Sequence, residues 1–187
     1  MISYAESKRA FDLLTALALA LLIAPLLLMV AAMIRATSPG PALYRQTRIG
    51  RHGQPFLIYK FRTMREGEEP AVRRITPAGH ILRRYRVDEL PQILNIIQGQ
   101  MSWVGPRPEM ETLAALYAEN LPGYHERHAV PPGITGWAQI NQGHVTGIDN
   151  AAIKLTLDRS YAARVSPWLD LLILAKTVPV VLSGSGR

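Results

Sequence analysis

The chain opens with one long apolar run, and beyond it the hydrophobic positions recur at shorter helical and strand spacings. No charged residue occurs from Leu13 to Ile34. At about 1.5 Å per residue, a helix of this length can cross a bilayer core of roughly 30 Å. The run is also longer than the apolar region of a secretory signal peptide, which spans about 7 to 15 residues. The pattern therefore predicts a retained membrane helix.

The flanks of this run and a proline inside it bear on its topology. Basic residues lie on both sides, with Lys8 and Arg9 before the run and Arg35 after it, and such residues favour the cytoplasmic side. Pro25, near the middle, removes a backbone hydrogen bond and bends a helix. A helix that enters the membrane, bends and returns to the same face satisfies both observations. A single span with a proline kink is the commoner structure, and the flanking charges alone do not exclude it.

The shorter patterns predict a mostly helical α+β domain over residues 38–187, preceded by the membrane helix over residues 1–37. Ser38-Pro39-Gly40-Pro41 predicts a turn-rich link between them. The predicted elements are a strand over 56–64, a mobile loop over 66–74, a helix capped by Thr76, a second helix from Asp88 to a stop at Gly99, a helix over 109–119, a glycine turn over 131–136 that needs positive φ, and a helix over 151–164.

The last apolar segment, residues 167–176, leaves two interpretations open. Asp170 and Lys176 interrupt it before it reaches spanning length. It can lie in the membrane interface with Trp168 at the level of the lipid headgroups. It can equally be a helix buried in the core of the domain.

The composition limits the classes of binding partner but does not identify one. The 187 residues carry a net charge of +7, which favours an anionic partner such as nucleic acid, an acidic membrane surface or a phosphorylated substrate. The absence of cysteine excludes disulfides and cysteine-ligated zinc. His125 and His128 stand three residues apart, whereas the ligands of a zincin helix stand four apart. We predict that these histidines are surface residues.

The candidate chemistry lies in two adjacent acids, Asp88 and Glu89, within a segment rich in arginine. One carboxylate can attack phosphorus while its neighbour holds a divalent cation, and arginines can bind the anionic substrate. The competing interpretation is a helix start, since Asp favours the N-cap and Glu the first turn. Local evidence alone favours the cap, although the two roles are compatible. Lys60 and Arg62 share one face of the predicted strand, where they face either solvent or a phosphate pocket.

Taken in order, these segments resemble the monotopic phosphoglycosyl transferases, also called the bacterial sugar transferase family. The resemblance covers nearly the whole chain, and its specificity comes from the ordered set. The blocks that carry it are Lys8-Arg9 with Asp12, the apolar run, Ser38-Pro39-Gly40-Pro41, Gln46 with Arg48 and Gly50, Tyr59-Lys60-Phe61-Arg62-Thr63-Met64, Asp88-Glu89-Leu90-Pro91-Gln92, Met101-Ser102-Trp103-Val104-Gly105-Pro106-Arg107-Pro108, and Pro132-Gly133-Ile134-Thr135-Gly136-Trp137.

The resemblance implies a re-entrant helix and a domain on the cytoplasmic face of the bacterial inner membrane. It implies that Asp88 attacks the β-phosphorus of a UDP-sugar, releases UMP and forms an aspartyl phosphosugar, which polyprenol phosphate, such as undecaprenyl phosphate, then accepts. Glu89 would hold Mg²⁺, and nucleic acid is not an expected partner. The residues expected to bind phosphate groups are Lys60, Arg62, Arg83 and Arg107. One departure is Ala24 before Pro25, where the family commonly has serine.

Two other functions are compatible with parts of the sequence. A membrane-tethered module that binds polyanions would use the basic surface and would not need the acid pair. A single-span hydrolase of phosphate esters would share Asp88 and Mg²⁺ but would not need polyprenol. The clustering of arginines around acids in the sequence favours the transferase over the binding module.

Overall fold

The structure is a computed structural model that describes residues 4–65, 74–142 and 147–182. The described part combines seven α-helices with two small sheets, so the predicted mostly helical α+β fold is confirmed. The elements are α1 (Tyr4–Thr37), β1 (Leu43–Ile49), β2 (Pro55–Phe61), α2 (Pro77–Arg84), α3 (Ile93–Ile97), β3 (Ser102–Val104), α4 (Glu111–Asn120), β4 (Gly133–Thr135), α5 (Trp137–Gln142), α6 (Ile148–Ala163) and α7 (Pro167–Leu182). Three 3-10 turns lie between them, over Arg51–Gly53, Val87–Gln92 and Tyr124–Ala129.

The two sheets are short and of opposite type. Strands β1 and β2 form an antiparallel hairpin in which Leu43 pairs with Phe61 and Tyr44 with Lys60. Strands β3 and β4 are parallel, with Ser102 opposite Gly133. Paired residues project to the same face of a sheet, so Tyr44 and Lys60 share a face with their neighbours two positions away. The polar side chains on this face of the hairpin therefore all project to the same side of the sheet.

Helix α1 packs on the domain along both of its halves. In the first half, Ala16 is fully buried in a cluster with Phe56 of β2 and Ile96 of α3. In the second half, Val30 and Ile34 are buried in a separate cluster, together with residues of β1, β2 and α2. A helix of 34 residues is about 51 Å long, yet both ends remain in contact with the same domain.

Polar contacts fix the N-terminal end of α1. Arg9 donates from Nη1 and Nη2 to the carbonyl oxygens of Ile96 and Ile97 at the end of α3, where helix carbonyls can accept further hydrogen bonds. Asp12 is 3% exposed and accepts hydrogen bonds from the Ser102 hydroxyl and the Trp103 backbone. The Trp103 indole donates to the Thr15 hydroxyl at 2.8 Å. These bonds tie the membrane segment to α3 and β3.

The opposite face of α1 is apolar and exposed. It meets the length and composition expected of a membrane helix, with a mean hydropathy of 2.8 over its most apolar window, only 11% of which is buried. Leu21 and Leu22 are 81% and 76% exposed, and Leu28 is 72% exposed. Burying such a face in lipid removes a large apolar area from water.

Helix α7 confirms the core interpretation of the last segment for one of its faces, and its other face is exposed. Ile173 is fully buried in a core cluster, and Asp170 is 7% exposed and accepts bonds from Tyr161 and Lys8. On the other face, Trp168 and Leu171 are 74% and 58% exposed. One side of the helix belongs to the core, and the other presents the apolar residues expected at a membrane interface.

Capping residues in the sequence correctly predicted two helix ends, whereas the prediction at a third was wrong. Thr76 caps α2 as predicted, accepting from the backbone N–H of Gly79, and Gly99 ends α3 with φ +80°. The N-cap of the next turn, however, is Arg86 in a left-handed conformation with φ 55°, and the turn itself is 3-10. Asp88 lies inside that turn, so the interpretation of Asp88 as an N-cap is wrong.

The glycines of residues 131–136 serve a different purpose from the predicted one. Neither Gly133 nor Gly136 has a positive φ. A Cβ atom at Gly133, or at Gly105 opposite it, would overlap backbone atoms of the facing segment. The glycines therefore permit close approach of two backbones, which brings β4 against the segment that follows β3.

Candidate active site

A cavity of about 830 Å³ lies between the hairpin, the 3-10 turn at Val87–Gln92 and the two apolar helices α1 and α7. Its lining contains both acids and all four of the basic residues predicted from the sequence. These are Lys60, Arg62, Arg83, Asp88, Glu89 and Arg107. Residues separated by up to 47 positions in the chain thus meet in one cavity, and its size suits a nucleotide sugar or a ligand of similar dimensions.

Glu89 is the centre of a compact ion-pair network. Its Oε1 accepts from Lys60 Nζ at 2.9 Å and from Arg107 Nη2 at 2.7 Å, and Oε2 receives a longer bond of 3.4 Å from Arg107 Nη1. Burial acts to raise the pKa of Glu89, but the two cations together hold the pKa well below its usual range. Glu89 is therefore ionised at neutral pH and is held in one orientation.

The neighbouring Asp88 differs from Glu89 in exposure, in bonding partners and in the direction of its pKa shift. It is partly exposed at the cavity wall, and within the described residues its carboxylate bonds only its own backbone N–H and no other residue. Burial and the adjacent negative charge of Glu89 raise its pKa, against the opposing effect of Lys60 and Arg83. A carboxylate with free lone pairs and a raised pKa is a better nucleophile than one held in a salt bridge.

Within the described residues, the arginines of the cavity that form no ion pair with a carboxylate include Arg48 and Arg83. The side chain of Arg83 forms no hydrogen bond or ion pair within the described residues. Arg48 donates only to neutral groups, the Pro108 carbonyl and the Gln46 amide oxygen, and its buried Nε has no partner. A partly buried cation without a counterion is well placed to bind an anionic ligand. Arg48 was not assigned a role from the sequence, although its strand spacing relative to Tyr44 places both on the face that carries Lys60.

Arg62 does not belong with the other predicted phosphate ligands. Strand β2 ends at Phe61, three residues earlier than predicted, so Lys60 and Arg62 do not continue on one face. Arg62 is 8% exposed, and its guanidinium donates to the carbonyl oxygens of Ser38, Pro39 and Gly40. Arg62 borders the cavity but is bonded to the turn that follows α1. The geometry indicates a structural role that fixes this turn.

Part of the lining of the same cavity is apolar. Leu19 and Ile23 of α1 line it, together with Trp103 and Ile134, and Val180 of α7 completes it. Ile23 lies only two residues before Pro25, in the middle of the membrane run. The cavity therefore joins a strongly basic end to the two helices with exposed apolar faces.

The prediction for the histidines is right for His125, which is exposed, and wrong for His128. His128 is 7% exposed, packs edge-on against Tyr124, and neither ring nitrogen has a hydrogen-bond partner. Arg127 is also buried, at 2% exposed, in an ion pair with Asp158. The 3-10 turn rotates these side chains inwards, which helical spacing could not have indicated.

The burial of His128 predicts an acid-sensitive loss of stability. Burial and the charge of Arg127 lower the pKa of His128 from 6.5 to about 4. Between these values the unfolded chain binds more protons than the folded one, so stability falls as the pH drops from about 6.5 to about 4, by up to about 3 kcal/mol. The midpoint of thermal unfolding from pH 7.5 to 4.5 measures this. His128→Phe should reduce the acid loss and His125→Gln should not; equal acid loss in His128→Phe and wild type would refute the assignment.

Comparison with known proteins identifies the family. The family model described as bacterial sugar transferase matches residues 3–184, so the chain belongs to this family. It is 40% identical over 98% of its length to UDP-N-acetylgalactosamine-undecaprenyl-phosphate N-acetylgalactosaminephosphotransferase of Aeromonas hydrophila, and covers 45% of that protein. It is 42% identical over 94% of its length to UDP-glucose:undecaprenyl-phosphate glucose-1-phosphate transferase of Caulobacter vibrioides, covering 70% of it. It is 43% identical over 91% of its length to exopolysaccharide production protein PSS of Rhizobium leguminosarum bv. phaseoli, covering 92% of it.

These three relatives differ widely in length, although each is 40–43% identical to the chain. The chain spans less than half of the Aeromonas protein, yet it spans nearly all of the Rhizobium protein. The matched region contains α1 and the whole cavity described above. The match to the family model therefore extends over α1 and over the residues that line the cavity.

Proposed function

We propose that the chain transfers a sugar phosphate from a UDP-sugar to a polyprenol phosphate, with Asp88 as the nucleophile. The observation that carries the proposal is a carboxylate that bonds no other residue within the described part of the chain, at the wall of a cavity that joins basic side chains to a membrane helix. The names of the Aeromonas and Caulobacter relatives, which specify UDP-sugars and undecaprenyl phosphate, support the same substrates.

The reaction proceeds in two displacements at one phosphorus. An Asp88 oxygen attacks the β-phosphorus of the UDP-sugar, the bond to the bridging oxygen breaks, and UMP leaves with the electron pair. An oxygen of polyprenol phosphate then attacks the same phosphorus and displaces Asp88, which regains its charge. The product is a polyprenol diphosphate sugar, and each step exchanges one phosphorus–oxygen bond for another.

The cations of the cavity make the first attack possible, because a carboxylate must approach an anionic diphosphate. Arg83 and Arg48 have no carboxylate partner and can bind phosphate oxygens directly. Lys60 and Arg107 are bonded to Glu89, and they add positive charge near Asp88. Fixed charges of this kind stabilise a transition state in which negative charge is spread over phosphoryl oxygens.

The acid pair also fits Mg²⁺. This ion commonly binds through one or two carboxylates together with substrate phosphates, so it does not need a cage of three protein ligands. No such cluster of three exists within the described residues. Glu89 is held ionised, and its Oε2 has only one long hydrogen bond, so that oxygen can serve as a ligand. Mg²⁺ held by Glu89 and the diphosphate would neutralise charge on the substrate and the leaving group.

The lipid substrate fits the apolar wall of the cavity. Leu19, Ile23 and Val180 would contact the first isoprene units of the polyprenol, while its phosphate reaches the basic end next to Asp88. An apolar chain gains from burial against these residues, and the charged head gains from the arginines. The two-sided lining thus suits a substrate that is lipid at one end and phosphate at the other.

We also propose that α1 is re-entrant and that the domain lies on the cytoplasmic face of the inner membrane. Both halves of α1 pack on the same domain, which a straight spanning helix cannot achieve while the domain remains on one side. The exposed leucines between them can enter the leaflet only to a limited depth. Basic residues at both ends of α1 support a cytoplasmic location for each.

Cysteine labelling tests this topology, and the absence of native cysteine makes the result clean. Single cysteines replacing Ala5 and Ala36, which are exposed near the two ends of α1, should react with a membrane-impermeant maleimide only after spheroplasts are opened. A cysteine replacing Asp149, exposed on α6, serves as the domain control. If Ala5→Cys and Ala36→Cys were labelled from opposite sides, α1 would be a single span.

A transfer assay tests the function itself. The purified protein is incubated with labelled UDP-glucose or UDP-N-acetylgalactosamine, Mg²⁺ and undecaprenyl phosphate. We expect label in the lipid and release of UMP with at least one UDP-sugar, loss of both with EDTA, and recovery with excess Mg²⁺. Full transfer in EDTA would refute the metal requirement. Hydrolysis of the sugar nucleotide without any lipid product would support the hydrolase instead.

A further inference from the structure

The segment Val104–Glu109, which carries Arg107, is held by hydrogen bonds along most of its length. Its two prolines have no N–H, so the segment cannot be fixed as a regular strand. Side chains and neighbouring backbones bond its carbonyl oxygens instead. The donors are Gly133 N to Pro106, Arg127 Nη2 to Arg107, Arg48 Nη1 to Pro108 and Ile49 N to Glu109.

The bond to Arg107 comes from a buried ion pair that the reaction does not use directly. Arg127 and Asp158 are 2% and 1% exposed. Arg127 donates from Nε and Nη2 to Asp158 Oδ2 at 3.0 and 2.7 Å, and from Nη1 to the Tyr124 hydroxyl at 3.2 Å. These bonds fix the planar guanidinium, and Nη2 then lies 2.8 Å from the carbonyl oxygen of Arg107.

We propose that Arg127 and Asp158 form a positioning pair for Arg107, and through it for Glu89. A buried ion pair is often no more stabilising than an apolar pair of similar volume, so stability alone gives little reason for one here. An apolar side chain, however, could not bond the Arg107 carbonyl. That bond fixes the backbone from which the Arg107 side chain reaches Glu89 at 2.7 Å. The inference rests on the proposed function, because it assigns the pair a role in the same site.

A double-mutant cycle distinguishes positioning from general stability. The combined substitution Arg127→Met with Asp158→Leu removes the bond to Arg107 but leaves no unpaired buried charge. We expect kcat/KM for the UDP-sugar to fall by about 10- to 100-fold, with the thermal midpoint within a few degrees of wild type. In an Arg107→Ala background, the same substitution should cause little further loss, because the group that it positions is already absent.

The controls make each outcome decisive. Arg159→Gln breaks the exposed ion pair with Glu126, which joins the same 3-10 turn and α6 without touching Arg107, and should leave kcat/KM unchanged. If the combined variant fails to fold, Arg127→Lys is carried through the same cycle. Equal losses in the wild-type and Arg107→Ala backgrounds would overturn the positioning role. Full activity of Arg107→Ala alone would instead refute the place of Arg107 in the proposed site.

Discussion

Replacing Asp88 with asparagine is expected to reduce sugar-phosphate transfer by about 10³-fold or more. The amide has nearly the same shape but cannot attack phosphorus and accept a covalent phosphosugar. Folding should be little affected, because the Asp88 carboxylate bonds no other residue among those that the structure describes. Removing its charge also relieves repulsion with Glu89, which raises the pKa of Asp88 in the native protein.

The measurement is the initial rate of lipid labelling, together with the thermal midpoint of each variant. Asp149→Asn is the matched control, since it removes an exposed carboxylate far from the cavity lining and should retain the wild-type rate. An Asp88→Asn rate above about one tenth of wild type would exclude Asp88 as an essential nucleophile.

The second large effect is expected for Glu89→Gln, and it should appear in both stability and activity. The substitution leaves Lys60 and Arg107 near a neutral amide inside the cavity wall, and breaking a buried pair in this way costs about 3 kcal/mol or more. Transfer should fall by about 10²-fold even at temperatures where the variant is folded, because a carboxylate ligand and two oriented cations are disturbed together.

Unfolding in denaturant and the rate of lipid labelling test this prediction side by side. Glu126→Gln is the matched control: its ion pair with Arg159 is about half exposed, so its loss should cost at most about 1 kcal/mol. If Glu89→Gln matched this control in stability and retained wild-type activity, the network around Glu89 would be irrelevant to both.

Features with a local physical cause could be predicted from the sequence. The apolar run gave the position of α1, since an uncharged stretch of that length has few alternatives. Thr76 followed by proline gave the start of α2, and Gly99 gave the end of α3. The acid pair was correctly predicted to lie between two helices, because the helical spacing of the hydrophobic residues is interrupted there.

Features that depend on distant contacts could not be predicted. Arg62 was placed with the phosphate ligands because strand spacing puts it beside Lys60, but carbonyl oxygens about 23 residues earlier capture its guanidinium. His128 was predicted to be a surface residue, but it is buried in a turn where Arg127 pairs with Asp158, 31 positions away. Arg86 adopts a left-handed backbone conformation and is the N-cap in place of Asp88. Nothing in the sequence indicates that an arginine will adopt this conformation.

The structure also joins two parts of the sequence that composition left separate. The apolar helix and the basic, acid-containing segments border one cavity, with Ile23 on one wall and Asp88 on another. This arrangement explains why a site for phosphate chemistry is attached to a helix with an exposed apolar face. In the proposed reaction, a lipid phosphate would reach Asp88 without leaving the membrane surface.

The most direct test of the central claim is the intact mass of the protein after incubation with a UDP-sugar and Mg²⁺ in the absence of polyprenol phosphate. We predict a mass increase equal to one sugar phosphate in the wild type, its loss when polyprenol phosphate is added, and no increase in Asp88→Asn. An adduct that persists in Asp88→Asn, or lipid labelling by a wild-type protein that never carries the adduct, would contradict Asp88 as the nucleophile.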